Sequence, residues 1–320
     1  MPRRVVFFGT PAFAVPSLSA LIDSSDSSGS VVAVVTQPDR PRGRGQQVRP
    51  EAVKIHAQVR GVEILQPDRL RDEAFLSAFR SLDPDLAVVA AYGRILPTAL
   101  LAIPPLGFIN VHASLLPRWR GAAPVHRAII AGDGVTGVTI MRVVPELDAG
   151  PMLASASVDI GLDETSAELE ARLASLGAGL LVSTLARMSS GPLVETPQDA
   201  QLVTYAPRLE RRESRIDWAR SAAAVHNQIR GLQPWPLAAS LLRGRRVLFH
   251  RSEILSDIER AGEPGEITAV DADGIVVATE PGVIRIVELQ AEGRQPLPAS
   301  AFARGSRIEA GARFEPLPEA

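Results

Sequence analysis

Gly107-Phe108-Ile109-Asn110-Val111-His112-Ala113-Ser114-Leu115-Leu116-Pro117-Arg118-Trp119-Arg120-Gly121 runs from an apolar strand into a polar loop. Asn110 and His112 close the apolar run, and residues i and i+2 of a strand project from one face. An amide donor and a titratable imidazole therefore stand side by side at one strand end. Two polar groups in that position are costly unless a ligand or a hydrogen-bond network uses them. Ser114 and Pro117 break the strand, and residues 118–121 follow as a loop.

The flanking sequence alternates short β-branched runs with helical patterns. Residues 5–8, 31–36, 63–65, 86–91, 107–112 and 137–143 read as strands. Residues 16–22, 50–60, 72–80 and 123–131 read as helices. Apolar strands alternating with helices predict an α/β fold, a mostly parallel sheet covered on both faces. Such sheets bind ligands outside the carboxyl ends of their strands, where Asn110 and His112 fall. Gly9-Thr10-Pro11 after the first strand lacks the Gly-x-Gly-x-x-Gly pattern, which argues against a nicotinamide enzyme on this Rossmann-like grammar.

Leucines at helical spacing predict one long helix over residues 165–188, with Thr165 and Glu168 as a capping box. Residues 192–207 show no strong period and suggest a linker. A helix at 221–230 precedes short strands at 238–242, 246–252, 265–270, 274–279 and 282–289, with a hairpin signal at Asp271-Ala272-Asp273-Gly274. Five short strands with glycine turns predict a small OB-like β-barrel. The expected layout is a Rossmann-like domain over residues 1–190, a linker over 191–207 and a barrel domain over 208–320. Trp218 and Trp235 are expected in the core.

The 320 residues are 46% apolar, enough for a sizeable core, and carry a net charge of −2. There is no cysteine, which excludes disulfides, thiolate metal sites and a cysteine nucleophile. Lys54 is the single lysine. Charge is uneven: residues 208–251 hold ten arginines against three acids, and residues 252–320 hold six against thirteen. The apolar run at the start is too short for a signal sequence, and no run approaches the ~20 residues of a membrane span. A soluble, cytoplasmic chain is the expectation.

Asn110-Val111-His112, then Ser114 through Gly121, then Leu147-Asp148-Ala149-Gly150, resemble the formyltransferase family that uses 10-formyltetrahydrofolate. Phe8-Gly9-Thr10-Pro11, Gln37-Pro38-Asp39-Arg40-Pro41, Gly43-Arg44-Gly45, Arg215-Ile216-Asp217-Trp218, Asn227-Gln228-Ile229-Arg230 and Pro234-Trp235-Pro236 extend the resemblance along nearly the full chain. They point to the branch acting on methionyl-initiator tRNA. Gln46-Gln47 stand where members of that branch carry two lysines.

The resemblance implies a formyl donor, 10-formyltetrahydrofolate, and a nucleic-acid partner, initiator methionyl-tRNA. It implies no metal, no membrane and a monomer. Formyl transfer is acyl transfer, so the site needs a donor for a developing oxyanion and a group that moves protons. Asn110 supplies the donor. His112 either takes the amine proton or stabilises the oxyanion as imidazolium, and Asp148 pairs with it. Ser114, Leu115, Leu116 and Pro117 are implied to line the folate pocket. Arg42 and Arg44, with Arg40 and Arg49 nearby, are implied to contact tRNA through phosphates. Arg208, Arg211, Arg245 and Arg246 fit phosphate contacts from the barrel.

Four other readings use the same residues. A formyltransferase acting on a UDP-amino-sugar would share the first-domain motifs without needing the basic segments. A glycinamide ribonucleotide formyltransferase would lack the second domain. A formyltetrahydrofolate hydrolase would use water as acceptor. A nucleic-acid-binding module on an inactive scaffold would not need Asn110 and His112.

Overall fold

The computed structural model describes residues 3–25, 29–42, 47–255 and 262–318. The chain forms two compact units. The first comprises Met1–Pro124, Thr136–Val158 and Glu170–Ala206; the second comprises Val125–Val135, Asp159–Leu169 and Pro207–Ala320.

The described strands up to residue 206 are β1 (Arg4–Gly9), β2 (Ser30–Val35), β3 (Arg40–Arg42), β4 (Gln47–Arg49), β5 (Glu63–Leu65), β6 (Leu86–Ala90), β7 (Phe108–His112), β8 (Arg120–Gly121), β9 (Val135–Arg142), β10 (Met152–Asp159) and β11 (Tyr205–Ala206). Seven of them form one sheet in the order β10-β9-β7-β6-β1-β2-β5. β1 pairs in parallel with both β2 and β6, β2 with β5, and β6 with β7. β9 runs antiparallel to β7 and sets Thr139 opposite His112. The mostly parallel sheet expected from the apolar runs is present. β6 is buried at all five positions, the signature of a strand covered on both faces. Strand order reverses between β1 and β6, and β7 ends beside that switch point.

The helices described in the first unit include α1 (Val15–Asp23), α2 (Ala52–Val59), α3 (Glu73–Ser81) and α4 (Thr98–Leu101), and α5 (Pro124–Ala131) opens the first segment of the second unit. On one side of the sheet, Phe8 makes edge contacts to Phe79 and Tyr92 and a tilted contact to Phe108, with ring centroids 5.7, 5.4 and 5.4 Å apart.

The long helix is α6 (Ser166–Ser190). Its expected capping box is present. The Thr165 amide donates to the Glu168 carboxylate at 2.9 Å, and the Glu168 amide donates to the Thr165 hydroxyl at 3.4 Å. α6 is long and apolar enough to cross a membrane, against the sequence expectation. Its Leu173, Leu181 and Leu185 are instead fully buried in the protein. Gly177 explains how close the helix lies: a Cβ there would sit 2.8 Å from the Val111 side chain of β7. Residues 191–206 pack within the first unit. Thr196 bridges Met152, and β11 pairs in parallel with β8.

In the second unit α7 (Ala222–Gly231) leads to β12 (Ala238–Leu242), β13 (Arg245–Ile254), β14 (Ile267–Val270), β15 (Ile275–Ala278), β16 (Val283–Ala291), β17 (Leu297–Pro298), α8 (Ala299–Ser306) and β18 (Phe314–Glu315). The sheet order is β14-β15-β16-β13-β12-β18. Its two ends meet: the Phe314 amide donates to Gly265 O and the Ile267 amide to Ala312 O, both at 2.8 Å. These bonds curl the antiparallel sheet toward the expected barrel and cover its edges. The 271–274 turn is also as expected, with Asp271 Oδ1 accepting from the amides of Asp273 and Gly274 at 2.9 Å. Inside, Trp218 stacks on Phe314 at 5.6 Å, and Phe249 meets both rings edge-on. The Trp218 indole donates to Ser240 Oγ at 3.0 Å. Trp235 departs from the expectation. It sits in the turn between α7 and β12 and stays 50% exposed.

His226 is buried on α7. Its Nε2 donates to Leu162 O, and its Nδ1 accepts from the Ser252 hydroxyl, both at 2.9 Å. Burial holds its pKa below the usual 6.5. A folded-state pKa below the unfolded one contributes stability that is complete above about 6.5 and is lost as pH falls through the folded value. Denaturant unfolding followed from about pH 7.5 down to about pH 5 is therefore expected to show a loss of stability that His226→Gln lacks. Parallel curves for the two proteins would show that His226 does not titrate on unfolding.

Candidate active site

Asn110 and His112 stand on one face of β7, as the spacing predicts. His112 is only 5% exposed, and its Nε2 lies 2.9 Å from Trp119 O. A carbonyl only accepts, so Nε2 carries a proton and donates. The other ring nitrogen, Nδ1, faces Asp148 Oδ2 at 3.7 Å. Asp148 reaches this place from the loop after β9. Its Oδ2 also accepts from the Gly121 amide at 2.8 Å. Asn110 is half-buried, and its amide has no hydrogen-bond partner among the described residues.

The backbone around these groups is strained in a directed way. Trp119 (φ 65°) and Asp148 (φ 47°) both lie in the left-handed region without being glycine. Such residues persist where their surroundings fix them, and they gather at functional sites. The Trp119 amide donates to Thr204 Oγ1 at 2.9 Å, which helps aim its carbonyl at His112. Gly121 (φ 125°) allows β11 to approach: a Cβ would lie 2.7 Å from Ala206 O.

The stretch 114–117 is a tight, largely internal structure. The Ser114 hydroxyl donates to Arg118 O at 2.6 Å, so it is engaged within the loop. Thr139 Oγ1 donates to Ser114 O at 2.7 Å and accepts from the Leu116 amide at 3.1 Å. Leu115 and Pro117 are the partly exposed members, and Leu116 is buried. Thr139 and Thr204, which shape the site, were missed in the sequence. A lone threonine in a strand or loop gives no signal, and only the register places Thr139 opposite His112.

The basic residues divide. Arg40 and Arg49 are exposed and face each other across the β3–β4 hairpin, in a segment expected as a loop. Arg42 lies on β3, and Arg44 lies outside the described residues. Lys54 forms an ion pair with Asp39. In the second unit Arg208, Arg211 and Arg245 are exposed. Arg246 is partly buried, with a guanidinium nitrogen 3.6 Å from Glu292. Among the described residues no three His, Asp or Glu side chains gather as a metal site.

The class of protein follows from comparison with known families. The family Formyl transferase matches residues 3–185, and the family Formyl transferase, C-terminal domain, matches residues 208–307. A methionyl-tRNA formyltransferase of Citrifermentans bemidjiense is 48% identical over 308 residues, covering 96% of this chain and 95% of the relative. The chain belongs to the methionyl-tRNA formyltransferase family.

Two solved structures share the fold at low identity. HypX from Aquifex aeolicus, in complex with tetrahydrofolic acid, superposes with a TM-score of 0.64 at 18% identity, covering 95% of this chain. This chain spans about half (47%) of that protein's length. An N-formyltransferase from Helicobacter canadensis, in complex with folinic acid and dTDP-3-aminofucose, gives a TM-score of 0.65 at 14% identity, covering 89% and 99% of the two chains.

Proposed function

We propose that this protein transfers the formyl group of 10-formyltetrahydrofolate to the α-amino group of methionyl-initiator tRNA in the cytoplasm. The observation that carries the reading is the convergence of Asn110, His112 and Asp148 at the end of β7, in a chain whose relative of that name matches over almost its whole length. The first unit holds the folate and the chemistry, and the second helps hold the tRNA.

The site fits a folate that supplies the formyl carbon when bound. Leu115 and Pro117 offer partly exposed apolar surface in the loop after β7, and the Asn110 amide is unengaged among the described residues. Asn110 donates to the oxygen on which negative charge grows. His112 takes the amine proton at Nδ1, because Nε2 is held by Trp119 O. Asp148 then stabilises the imidazolium across the 3.7 Å gap. With the substrate amine as nucleophile, transfer is direct: the bond from the amine to the formyl carbon forms, the bond from that carbon to N10 of the folate breaks, and the proton taken up by His112 passes to the departing nitrogen. Arg40 and Arg49, both exposed on the β3–β4 hairpin, add positive charge that suits a phosphate backbone.

Single-turnover transfer from 10-formyltetrahydrofolate to charged initiator tRNA tests the reading, with charged elongator methionyl-tRNA and a UDP-amino-sugar run in parallel. Formylation confined to the initiator species is the expected result. Transfer to the sugar nucleotide would reassign the second unit. Arg245→Ala is expected to raise the KM for tRNA and to reduce the slope of log affinity against log salt by about one. An unchanged slope would remove Arg245 from the phosphate contacts.

A further inference from the structure

Between α6 and β11 the chain runs along the first unit as a largely irregular segment, and from residue 194 to 202 every residue but one is exposed. The exception is Gln198. Its Nε2 donates to two carbonyls, Asp148 O and Gly150 O, each at 2.8 Å. Its Oε1 accepts from Arg120 Nε at 2.9 Å. Two acceptors on one side and a guanidinium on the other leave a single orientation for the amide.

Both partners lead to His112. Asp148 carries the carboxylate that faces Nδ1, on a backbone held at φ 47°. Arg120 lies between Trp119, whose carbonyl takes the Nε2 proton, and Gly121, whose amide binds Asp148 Oδ2. One side chain thus ties together the two stretches that grip the imidazole from opposite nitrogens. We propose that Gln198 is a positioning residue for formyl transfer, fixing the 148–150 loop against residues 119–121 so that Asp148 stays in register with His112. The inference rests on the role assigned above to Asp148.

Gln198→Glu keeps the shape but sets a carboxylate oxygen against two carbonyls. Gln198→Met keeps the length and removes every hydrogen bond, and it serves if the first variant fails to fold. Each is expected to lower kcat on the order of 10- to 100-fold, the scale of an ångström-sized misplacement, with KM for folate and for tRNA within about two-fold. The decisive readout is a double-mutant cycle with Asp148→Asn. If Gln198 acts through Asp148, its substitution costs little further once Asp148 is changed. The same fold-loss in both backgrounds, or a wild-type kcat for both Gln198 variants with Asp148→Asn slow, would overturn the inference and leave the Asp148 role intact. A wild-type kcat for Asp148→Asn alone would overturn the role of Asp148 itself.

Discussion

Replacing His112 with glutamine is expected to lower the single-turnover rate of formyl transfer by on the order of 10²–10⁴, the usual worth of a positioned acid–base group. Glutamine is the informative choice because of what each ring nitrogen does. Nε2 donates to Trp119 O inside a site where His112 is 5% exposed. The glutamine amide can still donate to that carbonyl and fill most of the space. It has no basic nitrogen in place of Nδ1. His112→Ala would in addition leave the Trp119 carbonyl without its donor, a loss of about 1–3 kcal/mol for a buried group. The two variants therefore separate chemistry from packing. Both lose turnover, and the alanine variant alone shows a clearly lower melting temperature. A glutamine variant with a wild-type rate would place His112 among the structural residues.

The Asn110–His112 pair was legible because it needs only strand periodicity. Strands β1, β6 and β7 were legible for a related reason. They are short apolar runs bounded by turns, and burial on both faces leaves no competing pattern. β10 escaped notice because it lies at the sheet edge and reads Met-Leu-Ala-Ser-Ala-Ser-Val-Asp, small residues with weak strand preference. The last barrel strand has only Phe314 buried, so its bond to Gly265 arises from tertiary closure alone. Residues 192–207 lack a period because they are held through single contacts, at Thr196, Gln198 and Tyr205–Ala206, and a pattern search has nothing to count there. Trp235 was placed inside on hydrophobicity, but the turn after α7 leaves half of it exposed. The fold and the place of the candidate site were thus readable from local periodicity and motif. The supports of the site were not, because each is one polar side chain reaching a distant backbone.

Asn110→Ala is the second large effect, expected to cost on the order of 10²–10³ in kcat, or roughly 3–4 kcal/mol of transition-state stabilisation. The argument begins with what the side chain lacks. Asn110 is half-buried on β7, and its amide has no partner among the described residues. A donor left unengaged by the protein next to the imidazole is available to an oxygen of a bound group. If that group is an oxygen whose charge grows only during reaction, deleting the donor slows the chemical step and leaves ground-state affinity nearly untouched. Asn110→Asp sharpens the test, because it preserves shape and sets negative charge where the developing oxyanion would lie. It is expected to be slower than the alanine variant at neutral pH. Steady-state kcat and KM for folate, measured for both variants, separate the alternatives. A rise in KM with kcat unchanged would make Asn110 a folate-binding residue and leave the oxyanion without its proposed donor.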